Sequence, residues 1–218
     1  MTLRQKIKIW LLVRPPKWLQ RLFRKTVWSI GKGDGALYLT FDDGPVPEVT
    51  PWILDQLDRH QARATFFCVG DNVRRHPEIF EEIRRRGHAV GNHTYSHLNG
   101  YRTGTRKYLK DVYRAHRLIR SRLFRPPYGR ATWLQRQLLL PRFRFIQWDV
   151  LSMDYDPSMT PAEVLQNVVG KADDGSIMVF HDNVKAWENL RVVLPQVLDH
   201  FTARGMRFRA LDEVLNVN

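Results

Sequence analysis

Short, continuously apolar runs, each separated from the next by a segment with helical spacing, constrain this chain more than any other feature. They are Leu37 to Phe41, Ala64 to Val69, His88 to Asn92, Leu123-Phe124, Phe143 to Asp149, Ser176 to His181 and Met206 to Phe208. Hydrophobicity without alternation is what a strand covered on both faces requires. The spacing predicts helices over Pro47–His60, Pro77–Arg86, Thr105–Ser121, Thr132–Leu140, Pro161–Lys171, Leu190–Arg204 and Leu211–Leu215, with Thr50-Pro51 as the first one's cap and Gly87 as the second one's stop. Strands alternating with helices imply parallel pairing through helical crossovers, hence an α/β fold. No glycine-rich phosphate loop follows the first strand, so a (β/α) barrel of about seven parallel strands is preferred to a doubly wound nucleotide-binding sheet.

A chain of 218 residues, 43% of them hydrophobic, fits one domain with a full core plus a short extension. Residues 1–35 form a basic, aromatic-rich extension expected to pack on the barrel, and residues 36–218 form the main domain. Ile7 to Val13 superficially resembles a leader, but Lys8 interrupts it, Pro15-Pro16 follow it and no small-residue cleavage site appears. No run reaches the length of a membrane span, so a cytoplasmic or membrane-peripheral location is expected, with export still open. Trp10, Trp18, Phe23 and Trp28 among lysines and arginines suit either packing across the barrel end or an anionic membrane surface. The net charge of +13 favours polyanionic partners such as anionic glycan, wall polymer or phospholipid, whereas no nucleic-acid motif accompanies it. Cys68, the single cysteine, is expected to be a buried thiol, and the chain is expected to be a monomer.

Chemistry collects where barrel strands end, and Asp42, Asp43, His93, Asp149 and His181 all fall at expected strand ends. Gly44 and Pro45 force a turn after Asp42-Asp43 that can swing both carboxylates to one side. His93 and His97 are four apart, so one helical turn would align their imidazoles; with Asp43 they make a two-histidine, one-carboxylate set with an open position. That set suits zinc and equally non-haem Fe(II). A second carboxylate, Asp42, stands beside the ligand as a base, Arg125 is fixed by Pro126-Pro127 to pair with it, and His181 is placed as an acid whose far nitrogen Asp154 or Asp149 can hold. An oxygenase has no use for such a pair, so hydrolysis of an acyl or amide bond leads.

Five segments in order now carry a resemblance: Thr40 to Gly44, His93 to His97, Arg125 to Gly129, Trp148 to Tyr155, and Val179 to Asp182. They resemble the motifs of the polysaccharide deacetylases with NodB homology, carbohydrate esterase family four. The resemblance implies a distorted, partly open (β/α) barrel that hydrolyses the N-acetyl group of N-acetylhexosamine units in peptidoglycan, a chitin-like oligosaccharide or a glycolipid. It implies a divalent metal, zinc first, with cobalt, nickel or manganese as alternatives, held by Asp43, His93 and His97. By the same resemblance Asp42 is the base, His181 the acid, Arg125 the partner of Asp42 and Asp154 the group that tunes His181; Pro127 and Tyr128 contact substrate, the Tyr128 N–H helping to hold the oxyanion. Three departures concern the pocket for the acetyl methyl: Tyr155 replaces tryptophan, Leu151 replaces an acid and Val179 replaces leucine. His60, His76, His88, His116 and His200 match no motif and are read as structural or surface groups, and Trp52 and Trp133 as packing groups. Three rivals are an amide hydrolase of the same fold acting on a small nitrogenous compound, a catalytically silent glycan- or membrane-binding module, and the Fe(II) oxygenase, which the α/β pattern and the acid–base pair disfavour.

Overall fold

The computed structural model describes residues 12–215. Trp10 and most of the leader-like run, with the last three residues of the main domain, lie outside that range. Nine strands are described: β1 (Thr26–Val27), β2 (Ala36–Asp42), β3 (Ala64–Cys68), β4 (Ala89–Asn92), β5 (Leu123–Phe124), β6 (Arg144–Ile146), β7 (Val150–Leu151), β8 (Ile177–His181) and β9 (Arg207–Phe208). The helices are α1 (Lys17–Leu22), α2 (Val49–Arg59), α3 (Gly70–Arg75), α4 (Pro77–Arg85), α5 (Thr105–Ile119), α6 (Trp133–Leu139), α7 (Pro161–Val169), α8 (Trp187–Thr202) and α9 (Asp212–Leu215). Every named strand pair is parallel, in the order β1-β6-β5-β4-β3-β2-β8-β7, with β9 added beside β2. The path ends at β1 and β7, which are not paired with each other, so the barrel is distorted and partly open, as expected.

β2 shows how the sequence divides the interior. All seven residues are buried. Leu37, Leu39 and Phe41 face the helical layer, where Phe41 stacks 5.0 Å from Phe66 among Ile53, Leu57, Val193 and Leu194. Ala36 and Tyr38 face inward and form the barrel floor with Phe67, Ile146, Ile177 and Leu211. The next two inward positions are Thr40 and Asp42, so the interior passes from apolar to polar toward the carboxyl ends of the strands. Cys68 is fully buried, as expected, and burial pushes its thiol well up.

Four expectations are corrected. The run Phe143 to Asp149 is not one strand: β6 stops at Ile146 and the chain restarts as β7 at Val150. Asp149 therefore lies at the amino end of β8, accepting from the Ile177 N–H at 2.7 Å and the Ser176 hydroxyl at 2.9 Å, far from the strand ends that carry the other candidates. Glu48, not Thr50, precedes α2; the Thr50 hydroxyl accepts from the Val46 N–H at 2.8 Å and donates to Asp182. Trp133 is 71% exposed and packs little, whereas Trp52 meets Trp187 edge-on at 5.2 Å. α3, an extra helix after β3, carries too few apolar residues to show helical spacing.

The described part of the N-terminal segment lies against the barrel. β1 extends the sheet beside β6, Val13 is buried, and the Trp148 indole N–H donates to Leu12 O at 3.0 Å. Arg136 of α6 donates to the Thr26 hydroxyl, with its guanidinium 4.6 Å from the Phe23 ring and 4.7 Å from the Phe145 ring. Trp18 and Leu22 point the other way, 67% and 70% exposed. Arg136→Ala removes the clasp on Phe23 and Thr26 and should cost about 2 kcal/mol. A melting temperature lower by roughly 4–8 °C is expected by calorimetry, with earlier proteolysis before residue 30; unchanged melting and unchanged cleavage would refute the clasp.

Candidate active site

Arg125, just after β5, is fully buried and reaches across the interior to β2. One terminal nitrogen donates to Asp42 Oδ1 at 2.7 Å and to Thr40 Oγ1 at 2.7 Å; the other donates to Gln147 O at 3.0 Å. The guanidinium carbon lies 4.1 Å over the Phe67 ring. Burial lowers the Arg125 pKa and Asp42 opposes that shift, and an arginine so paired keeps its charge. Asp42 is thus held beside a fixed cation.

Asp43 follows directly but faces elsewhere, because its φ of 92° breaks the strand's alternation. Such an angle is costly outside glycine, and three contacts hold it. Asn72 donates to Asp43 O at 2.7 Å, Asn183 donates to Oδ2 at 2.5 Å, and the next residue's N–H, from Gly44, donates to Asp182 Oδ1 at 2.8 Å. Gly44 is required by space: a Cβ there would lie 1.7 Å from Asp182 Oδ2. The Asp43 carboxyl sits well below the usual range; burial opposes this, and the His97 contact together with the nearby His181, His93 and His97 rings outweighs it.

His93 and His97 meet Asp43 from a loop after β4, not from the helical turn their spacing predicts. Positive φ at Thr94 (65°) and His97 (53°) folds the loop back. Asp111 of α5 clamps it, accepting from the Tyr95 and Ser96 N–H groups at 2.9 Å each and from the Ser96 hydroxyl at 3.0 Å. His97 Nε2 is 3.0 Å and His93 Nε2 3.6 Å from Asp43 Oδ1. His93 Nδ1 lies 2.8 Å from Arg125 O, which can only accept, so this nitrogen carries the proton and Nε2 offers a lone pair. Burial lowers the His93 pKa to about 4, keeping the ring neutral.

One donor atom from each of Asp43, His93 and His97 lies within 4.8 Å of the others, and Asp43 Oδ1 is buried without a hydrogen bond of acceptable geometry. Two imidazole nitrogens and a carboxylate oxygen gathered this closely, with that oxygen left unpartnered, fit a divalent cation.

His181 closes the opposite side at the end of β8, where it is the register partner of Asp42. Its Nδ1 lies 2.8 Å from Asp154 Oδ1, and its own main-chain N–H donates to Asp154 Oδ2 at 2.8 Å. Burial alone would lower the His181 pKa; the buried Asp154 charge and hydrogen bond outweigh it and raise the pKa to about 9. Asp154, and not Asp149, is therefore the histidine's partner; burial lifts Asp149 to about 6 at its distant site. The Tyr155 ring meets His181 edge-on at 4.6 Å, while Leu151 and Val179 are register partners with almost no exposure. Pro127 is buried, and Tyr128, at a φ of 60°, is 60% exposed with its ring 4.8 Å from His97.

The supporting roles of Asn72, Asn183, Asp182 and Asp111 escape a reading of the sequence. Asp182 and Asn183 had a local signal, directly following His181 at the same strand end, with Asp182 closing the fifth motif.

A family model described as polysaccharide deacetylase matches residues 30–139. The chain is 29% identical over 216 residues to a peptidoglycan-N-acetylglucosamine deacetylase of Bacillus cereus, covering 94% of this chain and 76% of that protein. To a chitooligosaccharide deacetylase of Sinorhizobium fredii it is 33% identical over 170 residues, covering 73% of this chain and 78% of that one. The crystal structure of the Bc1960 peptidoglycan N-acetylglucosamine deacetylase superposes with a TM-score of 0.85 at 27% identity, covering 91% of this chain and 97% of that one. The family model, the sequence relatives and the superposed structure agree, and the chain belongs to the polysaccharide deacetylase family.

Proposed function

We propose that this chain hydrolyses the N-acetyl group of N-acetylhexosamine units in a glycan, releasing acetate and leaving the free amine. One observation supports this most: on register-paired strand ends, Asp42 is held by a buried cation while His181 is held protonated by a buried anion. An ionised base and a charged acid side by side are what amide hydrolysis near neutral pH needs. The names of the relatives point to peptidoglycan or chitooligosaccharide as the glycan.

Asp43, His93 and His97 would hold the divalent metal, with zinc the first choice and cobalt, nickel or manganese as alternatives. When bound, such an ion supplies Lewis acidity toward the acetamide oxygen and toward water. Asp42 takes the proton of the attacking water, and its ion pair with Arg125 keeps it oriented. The water oxygen becomes a carboxylate oxygen of acetate. His181 gives its proton to the sugar nitrogen as the carbon–nitrogen bond breaks, and Asp154 stabilises the charged ring beforehand. Tyr128 and Pro127 border the metal side of the site, and Tyr155, Leu151 and Val179 shape the side toward the acetyl methyl. Contact with an anionic membrane or wall polymer through α1 is a second partner reading, supported by exposed Trp18 and Leu22 beside Lys17 and Arg21.

Acetate release from N-acetylglucosamine oligomers by the metal-loaded protein tests the reading. Asp42→Asn and His181→Ala should each lower kcat by roughly 10²–10⁴-fold. Full activity in Asp42→Asn would sink the assignment of the base, and glycan binding without any release would favour the silent module. Removing the amide that holds Asp43 should be felt in binding: Asn183→Ala is expected to weaken zinc affinity by about 10–100-fold in calorimetric titration, and equal affinity would exclude that role.

The sign of the pH effect follows from the His181 pKa. In the metal-free protein it is about 9, above the unfolded value of roughly 6.5, so its protonation contributes stability in full below the unfolded value. That contribution is lost as pH rises through about 9. The unfolding free energy of the metal-free protein relative to Asp154→Asn should therefore shrink between about pH 7 and 10; a difference constant with pH would contradict the ion pair.

A further inference from the structure

Beside the loop that carries His93 and His97, α3 and α5 border an open groove of about 560 Å³ whose lining includes His97. That volume lies in the range of small-ligand sites. Three guanidinium groups and one carboxylate line it: Arg74, Arg75, Arg114 and Asp71, two positive charges in excess. The single carboxylate is shared. Arg74 donates to Asp71 Oδ1 at 3.0 Å, Arg75 lies 3.2 Å from Oδ2, and the Tyr95 hydroxyl donates to Oδ1 at 3.1 Å.

Tyr95 organises the remaining charge. Its oxygen accepts from Arg74 Nε at 3.0 Å, and Arg114 stacks with its guanidinium carbon 3.5 Å from the ring centroid. Stacking fixes the plane of a guanidinium while leaving its N–H edge to donate elsewhere. Among the described residues Arg114 has no acidic partner within 4.0 Å. Tyr95 itself is 5% exposed, and its main chain is clamped by Asp111, so this scaffold is built into the loop that carries His93 and His97. A fixed, planar donor edge with surplus positive charge is what a carboxylate or phosphate recognises.

We propose that this groove binds an anionic group, carboxylate or phosphate, carried by a glycan unit next to the one whose acetamide enters the active site. The proposal rests on the glycan reading above. It makes the enzyme selective for charged strands over neutral ones, with Arg114 and Arg75 as specificity residues.

The test uses the metal-loaded full chain with three oligomers of equal length. One is neutral N-acetylglucosamine, one bears lactyl carboxylates on alternate units, and one bears phosphate monoesters. A higher kcat/KM for either charged oligomer is expected, and whichever is favoured identifies the source of the anion. In Arg75→Gln/Arg114→Gln the ratio of charged to neutral kcat/KM should fall about tenfold. Raising salt in the unaltered protein should reduce that ratio too, which needs no variant to fold. Equal kcat/KM on all three oligomers, or a ratio unmoved by the variant, overturns the proposal. Should no oligomer release acetate, the proposed function fails, and calorimetric binding of the same oligomers reads the groove alone. Tighter binding of a charged oligomer that the variant loses supports it, and equal binding of all three overturns it.

Discussion

The site depends first on a cation with no exposure to water. Burying a guanidinium costs several kcal/mol unless its donors are met, and Arg125 meets most of them across the barrel. It stands after β5, yet its partners are Thr40 and Asp42 of β2, the main chain of Gln147 after β6 and the ring of Phe67 on β3. β5 and β2 are separated in the sheet by β4 and β3, so this contact exists only because the sheet curls. The curvature and the Arg125–Asp42 pair are one problem: a flatter sheet would leave both groups without a partner.

Backbone geometry supplies the second constraint. Eight described non-glycine residues have positive φ, and Asp43, Thr94, His97, Tyr128 and Met153 among them lie in the loops that carry site residues. Each costs of order 1–3 kcal/mol. Glycine would relieve the strain at Asp43 and His97 only by deleting the donor atoms themselves, so the surrounding hydrogen bonds hold these angles instead. Asp111 does so for one loop, and Ser152, whose hydroxyl donates to Asp154 at 2.8 Å and accepts from its N–H at 3.2 Å, does so for another.

This explains what could be read in the sequence. The continuous apolar run of β2 and its abrupt end in two acids announce a buried strand with its function at the exit, and the structure places Asp42, Asp43, His93, Arg125, Asp154 and His181 around one centre. The His93–His97 spacing led to the right neighbours by the wrong route, since a loop with two positive φ angles can bring residues four apart together as a helical turn does. Asp149 misled because apolar periodicity does not register a break: Phe143 to Asp149 reads as one run, although the chain leaves the sheet after Ile146. Asn183 holds Asp43 across 140 positions of sequence, a pairing no local pattern contains.

Two consecutive carboxylates acquire opposite surroundings through a single dihedral. Asp42 keeps the inward orientation of its strand and meets Arg125, whereas the φ of 92° at Asp43 turns the next carboxylate out to two imidazoles. The turn that follows is locked by Asp182, whose two oxygens take the Gly44 N–H and the Thr50 hydroxyl. Burial pushes the Asp182 carboxyl well up, so the lock adds less negative charge beside the pair than an exposed third acid would. Under the proposed function a base and a metal ligand would therefore be neighbours in sequence without competing for the same cation, because the backbone between Asp42 and Asp43, and not the distance along it, sets which positive groups each carboxylate meets.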